Sequence, residues 1–196
     1  MTFTKKSICY FDKPGDANTA DAARIAVERA AELNISTIVV ASTTGATAKV
    51  FYETVKGTKI SLVVVTHVIG FAKPGEWEFD PTTAALLRRN GVTIVTGTHA
   101  LSGLERALSR SAKIGGGSRT EAIAEALRRT VAVGLKVAVE CVLIASDCGA
   151  IGIDKEVVAA GGTASGADTV CVIRPAHTAN FFDLQVREIA AMPRNR

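Results

Sequence analysis

Aromatic residues are scarce in this chain: seven Phe, two Tyr and one Trp make up 5% of its 196 residues. That speaks against an aromatic-rich β-sandwich, and the abundance of Ala, Val, Ile, Thr and Gly suits helices packed on a mostly parallel sheet, an α/β fold. Cysteine is sparse as well. Cys9, Cys141, Cys148 and Cys171 form no Cys-x-x-Cys pair and no dense framework, so reduced, buried thiols are expected. No uncharged run reaches membrane-spanning length, and Met1 to Tyr10 has no apolar stretch long enough for a signal peptide. A cytoplasmic protein with no membrane partner is expected. The 23 basic and 19 acidic residues leave a net charge of +4, with no Arg/Lys stripe interleaved with aromatics, so no nucleic-acid partner is expected. Two phosphate signatures are also missing: there is neither Gly-x-x-x-x-Gly-Lys nor Gly-x-Gly-x-x-Gly. Nucleoside triphosphate hydrolysis is disfavoured on that ground.

A chain with 47% hydrophobic residues can bury a sizeable core, and no linker-like composition shift divides it, so one domain over residues 1–196 is expected. Ser7 to Phe11 reads as a short strand, and Ala22 to Leu33 as a helix capped at Asn18 or Thr19. Three nearly continuous β-branched runs, Ser36 to Ala41, Ile60 to Thr66 and Val92 to Thr96, suit strands covered on both faces. Helices are expected between them, at Ala46 to Val55 and at Thr82 to Asn90, the second capped by Asp80-Pro81 and ended by Asn90-Gly91. A short helix at Gly103 to Ser111 is followed by a long one from Glu121 to about Ala145, in which Lys136 and Glu140 could pair at i,i+4. Its apolar part, Val133 to Ile144, reads as a central buried helix or an oligomer contact. Glu156 to Ala160 and Thr169 to Arg174 read as a hairpin or adjacent strands around an open Gly-rich loop, Gly161 to Asp168, with Val186 to Ala191 as an edge strand. A mostly parallel sheet with an antiparallel edge strand results.

Ser42-Thr43-Thr44-Gly45-Ala46-Thr47-Ala48 leaves a buried strand, turns at a glycine and enters a helix. Main-chain N–H groups at such a helix start point outward together and the dipole there favours an anion, so a phosphate could be held without a lysine. The same hydroxyls could instead merely cap the helix. All three histidines follow a strand: Thr66-His67, Thr98-His99 and Ala176-His177. In an open parallel sheet ligands bind beyond the carboxyl ends of the strands, so His67 and His99 are candidate acid/base groups in the same crevice, or else local caps for strand-end carbonyls. Their spacing matches no metal site, and no metal is expected. Glu140 and Asp147 lie seven residues apart on the apolar helix, where burial could raise a carboxyl pKa, although pairing with Lys136 and capping the helix end are the plainer roles. Phe181-Phe182 could stack on a planar ring or be a packing anchor or subunit contact, and Trp77 could be a lid or an interface contact.

Ile38 to Ala48 resembles the strand and phosphate loop of the pyruvate kinase C-terminal domain, and Val157 to Ile173 resembles its terminal hairpin. Further segments, Phe11-Asp12-Lys13-Pro14-Gly15, Val65-Thr66-His67, Gly97 to Gly103, Gly161-Gly162-Thr163 and Ile173 to His177, extend the likeness to a stand-alone, mainly prokaryotic family of pyruvate-kinase-C-terminal-like proteins. The resemblance implies a three-layer α/β/α fold. It also implies flavin mononucleotide (FMN) as ligand, its phosphate in the turn at Ser42, Thr43, Thr44, Gly45, Thr47 and Ala48, with Thr66, His67, Gly97, Thr98, His99, Gly162 and Thr163 lining the rest. It does not imply pyruvate kinase activity, because the catalytic barrel has no counterpart in these 196 residues. The expected role is a regulatory domain that binds a phosphorylated small molecule. The alternatives are an enzyme acting on a flavin or phospho-substrate through His67 or His99, and an assembly module, since domains of this kind often sit at subunit contacts and a homo-oligomer is expected.

Overall fold

The computed structural model describes residues 3–195, so Met1 and Thr2 at the N-terminus and Arg196 of the Arg194 to Arg196 tail lie outside the described residues. Seven strands form one sheet: β1 (Cys9–Phe11), β2 (Thr37–Ala41), β3 (Ser61–Thr66), β4 (Thr93–Thr96), β5 (Val157–Gly161), β6 (Thr169–Arg174) and β7 (Gln185–Pro193). Their spatial order is β1-β7-β6-β5-β2-β3-β4. Only β6 runs against its neighbours, β5 and β7; every other pair is parallel. The run expected at the edge, Val186 to Ala191, is the middle of β7 and lies one strand in, because β1 pairs with it through Cys9 and Ala191.

Among the described residues six α-helices cover the two faces: α1 (Thr19–Leu33), α2 (Ala46–Val55), α3 (Pro81–Arg89), α4 (Gly103–Ser109), α5 (Arg119–Thr130) and α6 (Val133–Asp147). Successive strand side chains point to opposite faces. Thus Ile38, Val40, Leu62, Val64, Val158 and Ala160 pack with α1, α2 and α3, while Val39, Val63, Val65, Val157 and Ala159 pack with α5 and α6. This is the expected three-layer α/β/α arrangement, and it explains why these strands read as unbroken apolar runs.

Local signals set most helix ends. Asp80 accepts the Thr83 N–H at 2.8 Å, Pro81 opens α3, and Gly91 follows it at φ +80°. At α1 the expected capping side chain is used otherwise: the Asn18 amide donates to the carbonyls of Lys13 and Gly15.

The single helix expected from Glu121 to Ala145 is two. Val131 and Ala132 leave helical geometry, Ala132 at φ −160° and ψ 150°, and both their N–H groups turn back to the Leu127 carbonyl. The break redirects the chain so that α6 crosses the sheet at close range: Gly134 lies against Thr169 and Asp168, and its carbonyl lies against Gly161. A straight continuation would carry the apolar Val133 to Ile144 face away from β5 and β6. The expected Lys136–Glu140 pair is present, buried under the segment that follows β4.

The thiols divide. Cys141 and Cys171 are buried, and burial pushes both up, Cys171 to about 12. Cys9 and Cys148 are exposed, against expectation: Cys9 stands on the edge strand and Cys148 just beyond the end of α6. Among the described residues no helix is long and apolar enough to cross a membrane.

Candidate functional site

Parallel register brings four strand ends together. Ala41 is level with Val65, Thr66 with Thr96, and Val40 with Ala160, so Ser42, His67, Gly97 and Gly162 leave the sheet side by side. Every residue singled out on the turn, at Thr66, His67, Gly97, Thr98 and His99, and at Gly162 and Thr163, belongs to this carboxyl edge, where open α/β sheets hold ligands. His177 follows β6, which runs the other way; its Nδ1 is 3.2 Å from Asp147, which with Thr178 lines a cavity shared with Gly97, Thr98 and His99.

The turn is braced from within. Ser42 is buried; its N–H donates to the Val65 carbonyl at 2.9 Å, and its hydroxyl oxygen accepts the N–H groups of Gly45 and Ala48, each at 3.2 Å. That hydroxyl therefore shapes the turn instead of facing outward. Gly45 sits at φ +102°, and a Cβ there would come within 2.9 Å of Thr83 Cγ2 and 3.1 Å of the Phe79 ring. Among the described residues the N–H groups of Thr44, Ala46 and Thr47 meet no protein acceptor. Those of Ala46 and Thr47 open α2, at the positive end of its dipole.

Beside the turn, Thr43 Oγ1 is 3.4 Å from His67 Nε2, and His67 Nδ1 is 3.0 Å from Glu78 Oε2. The sequence reading missed Glu78. Its signal was the alternation Trp77-Glu78-Phe79: the two aromatic rings stack at 5.3 Å and pack on the core, which turns the carboxylate between them to the other side. Trp77 is accordingly an anchor, not a lid, and its indole N–H donates to Thr66 Oγ1 at 3.2 Å. Thr66 is itself buried, with its hydroxyl bonded to Thr96 and to the His67 carbonyl, so it supports the site from below.

Phe71, also missed, closes an aromatic group. Its ring lies 4.1 Å from His67 and 5.0 Å from His99, nearly parallel to the latter. His99 Nε2 accepts the Val68 N–H at 3.4 Å. Burial holds the His99 pKa below its ordinary value; Glu140 opposes the shift, while His67, Lys136 and Arg106 add to it. His99 is thus neutral at pH 7, with one nitrogen occupied, which makes it the weaker acid/base candidate. Two cavities flank it, one of 360 Å³ reaching Ile144 and Cys148 and one of 460 Å³ reaching Phe71, Arg106 and Arg110. Neither borders the turn.

A histidine pKa depressed in the folded state means that the unfolded chain takes up the proton first. The His99 contribution is complete above its unfolded value of about 6.5 and is lost as pH falls below it. The melting temperature is expected to drop between pH 7.5 and pH 5.5, and the drop to shrink in His99→Gln; an equal drop in the variant would assign the effect elsewhere.

The Gly-rich connection is closed, not open. Asp168, fully buried, accepts the N–H groups of Gly15 and Thr163, each at 3.0 Å, and the Thr169 hydroxyl at 2.9 Å, while Ala167 N–H donates to Thr19 Oγ1 at 3.1 Å. The loop is therefore clamped onto the residues that start α1, and the Thr163 N–H is already used. The two helix carboxylates take the plainer roles, pairing and capping. Glu140 is paired with Lys136 and accepts the Leu101 N–H at 2.9 Å. Burial works against the Asp147 carboxylate, yet the Thr178 hydroxyl and amide, with His177, hold it below the usual range. Of the aromatic pair, Phe181 packs on the core while Phe182 is 90% exposed.

Residues 20–173 match the family described as "Pyruvate kinase, alpha/beta domain". Two solved structures of a pyruvate kinase from Cryptosporidium parvum are similar in fold. One covers 81% of this chain at 16% identity with a TM-score of 0.42; the other, in complex with ADP, covers 88% at 13% identity with a TM-score of 0.40. The chain spans 23% of the length of each.

Proposed function

The chain belongs to the pyruvate kinase α/β-domain family, and from that premise we propose that it binds a phosphorylated small molecule, FMN, at the carboxyl edge of its sheet in a regulatory role. The observation that carries this reading is the turn after β2. Ser42 and Gly45 fix its backbone so that the N–H groups of Thr44, Ala46 and Thr47 are left without protein acceptors at the start of α2. A phosphate oxygen supplies what they lack, and the dipole adds to it. The isoalloxazine ring would lie toward Phe71 and His99, against the outer side of this already stacked pair.

Freshly purified protein is expected to absorb in the flavin band and to release FMN on denaturation, identified by mass spectrometry. Colourless protein that also fails to bind added FMN would sink this ligand. A second reading, an enzyme on the same edge, draws on the hydrogen-bonded Thr43, His67 and Glu78. Photoreduction followed by a screen of electron acceptors distinguishes the two, since a flavin that is held but never turns over favours regulation.

A further inference from the structure

We propose that Glu78, His67 and Thr43 form one proton-linked unit that makes this site select ligands ending in a phosphate monoester; the inference rests on the reading that the turn after β2 holds phosphate. The turn offers a dianion only amides and hydroxyls. The groups around His67 are few. Glu78 lies on the segment before α3 and Phe71 on the loop after β3, and His99, with its ring 5.3 Å away, lies on the loop after β4. Behind His99 stand Arg106 of α4 and the mutually paired Lys136 and Glu140 of α6. Lys49 of α2 is exposed, with its charge felt at Asp80. His67 is therefore the group placed to bring positive charge to the Thr43 side of the turn, and only when it is protonated.

Hydrogen-bond direction sharpens the point. Glu78 can only accept, so it fixes the His67 proton on Nδ1 and leaves Nε2 of the neutral ring as an acceptor. Thr43 must then donate to Nε2, and its hydroxyl proton is not available to a ligand. Protonation reverses this contact: Nε2–H donates to Thr43 Oγ1, and the Thr43 hydroxyl is freed to donate to phosphate. One proton thus adds a charge and a donor together. A terminal monoester, whose second ionisation lies near about 6, gains from both as a dianion, whereas a diester carries a single charge and gains less.

The test uses inorganic phosphate, FMN and FAD, whose phosphates are bridged, on the intact chain. By NMR, saturating inorganic phosphate is expected to move the His67 titration upward by about one unit, a tenfold linkage. The FMN dissociation constant should rise by about tenfold in total, and then level off, as pH passes the free and bound His67 midpoints, a limb that His67→Gln removes. That variant should also reduce a roughly tenfold preference for FMN over FAD to near parity. An unmoved His67 titration in phosphate, or a His67→Gln variant that keeps the alkaline limb, overturns the proposal while leaving FMN binding intact. If FMN fails to bind but phosphate still raises the His67 titration, the ligand assignment falls and the proton linkage stands.

Discussion

Gly45→Ala is expected to abolish FMN binding and to lower folding stability by about 2–6 kcal/mol, the sum of a strained φ and an overpacked contact. Both parts have a visible source. Gly45 sits at φ +102°, which an L side chain rarely adopts, and the added methyl would press on Thr83 and the Phe79 ring. Neither neighbour can give way easily: Phe79 is 1% exposed and Thr83 2%. Relief must come from the turn itself, which would pull the Gly45 and Ala48 N–H groups off Ser42 and misplace the donors of α2. Gly91→Ala is the control. It has a similar φ, +80°, but nothing within 4 Å, so it bears the backbone strain alone. Urea denaturation of the two variants separates the contact from the torsion; equal losses would mean that Phe79 and Thr83 accommodate the methyl.

Glu140→Ala is expected to cost about 3–5 kcal/mol, because it leaves Lys136 charged and buried without its partner. Lys136→Met combined with Glu140→Gln should recover all but about 1–2 kcal/mol, since the glutamine oxygen can still accept the Leu101 N–H. The two differ in a second readout. Leu101 belongs to the segment that carries Gly97, Thr98 and His99, so Glu140→Ala should weaken FMN binding beyond its effect on stability, while the double variant should restore it. Restored stability without restored binding would show that the charge, not the hydrogen bond, sets the loop.

Most of the fold was written in local patterns. The β-branched runs gave β2, β3 and β4 because a strand buried on both faces needs apolar residues at every position, and Asp80-Pro81 and Gly91 marked α3 through chemistry confined to a few residues. What escaped depends on distant partners. The break at Val131 and Ala132 is invisible in a helical stretch, since its cause is the approach of Gly134 to Gly161, Asp168 and Thr169. The closed state of the Gly-rich loop depends on Asp168 reaching Gly15, a contact across 153 positions. The placement of β7 inside the edge depends likewise on β1.

At the site the same division holds. The turn and the strand-end histidines His67 and His99 were legible because strand, glycine and helix follow one another directly. The third strand-end histidine, His177, was not assigned to that crevice, and it follows β6, the strand that runs against its neighbours. Glu78 and Phe71 lie in a stretch without regular secondary structure, between Thr66 and Pro81, where no periodicity announces which way a side chain points.

The pairing of β1 with β7 has a kinetic side. Cys9 meets Ala191 and Phe11 meets Pro193, so the edge of the sheet joins segments separated by nearly the whole chain. Such a contact forms only after the largest loop has closed, which places β1 among the last elements to dock during folding and among the first to fray. On the ribosome β1 emerges well before β7 and must wait for it, and through Gly15 and Asp168 the start of α1 is likewise tied to a late partner. Loss of β7 from the C-terminal end would therefore release β1 at the other end, although the two share no sequence neighbourhood.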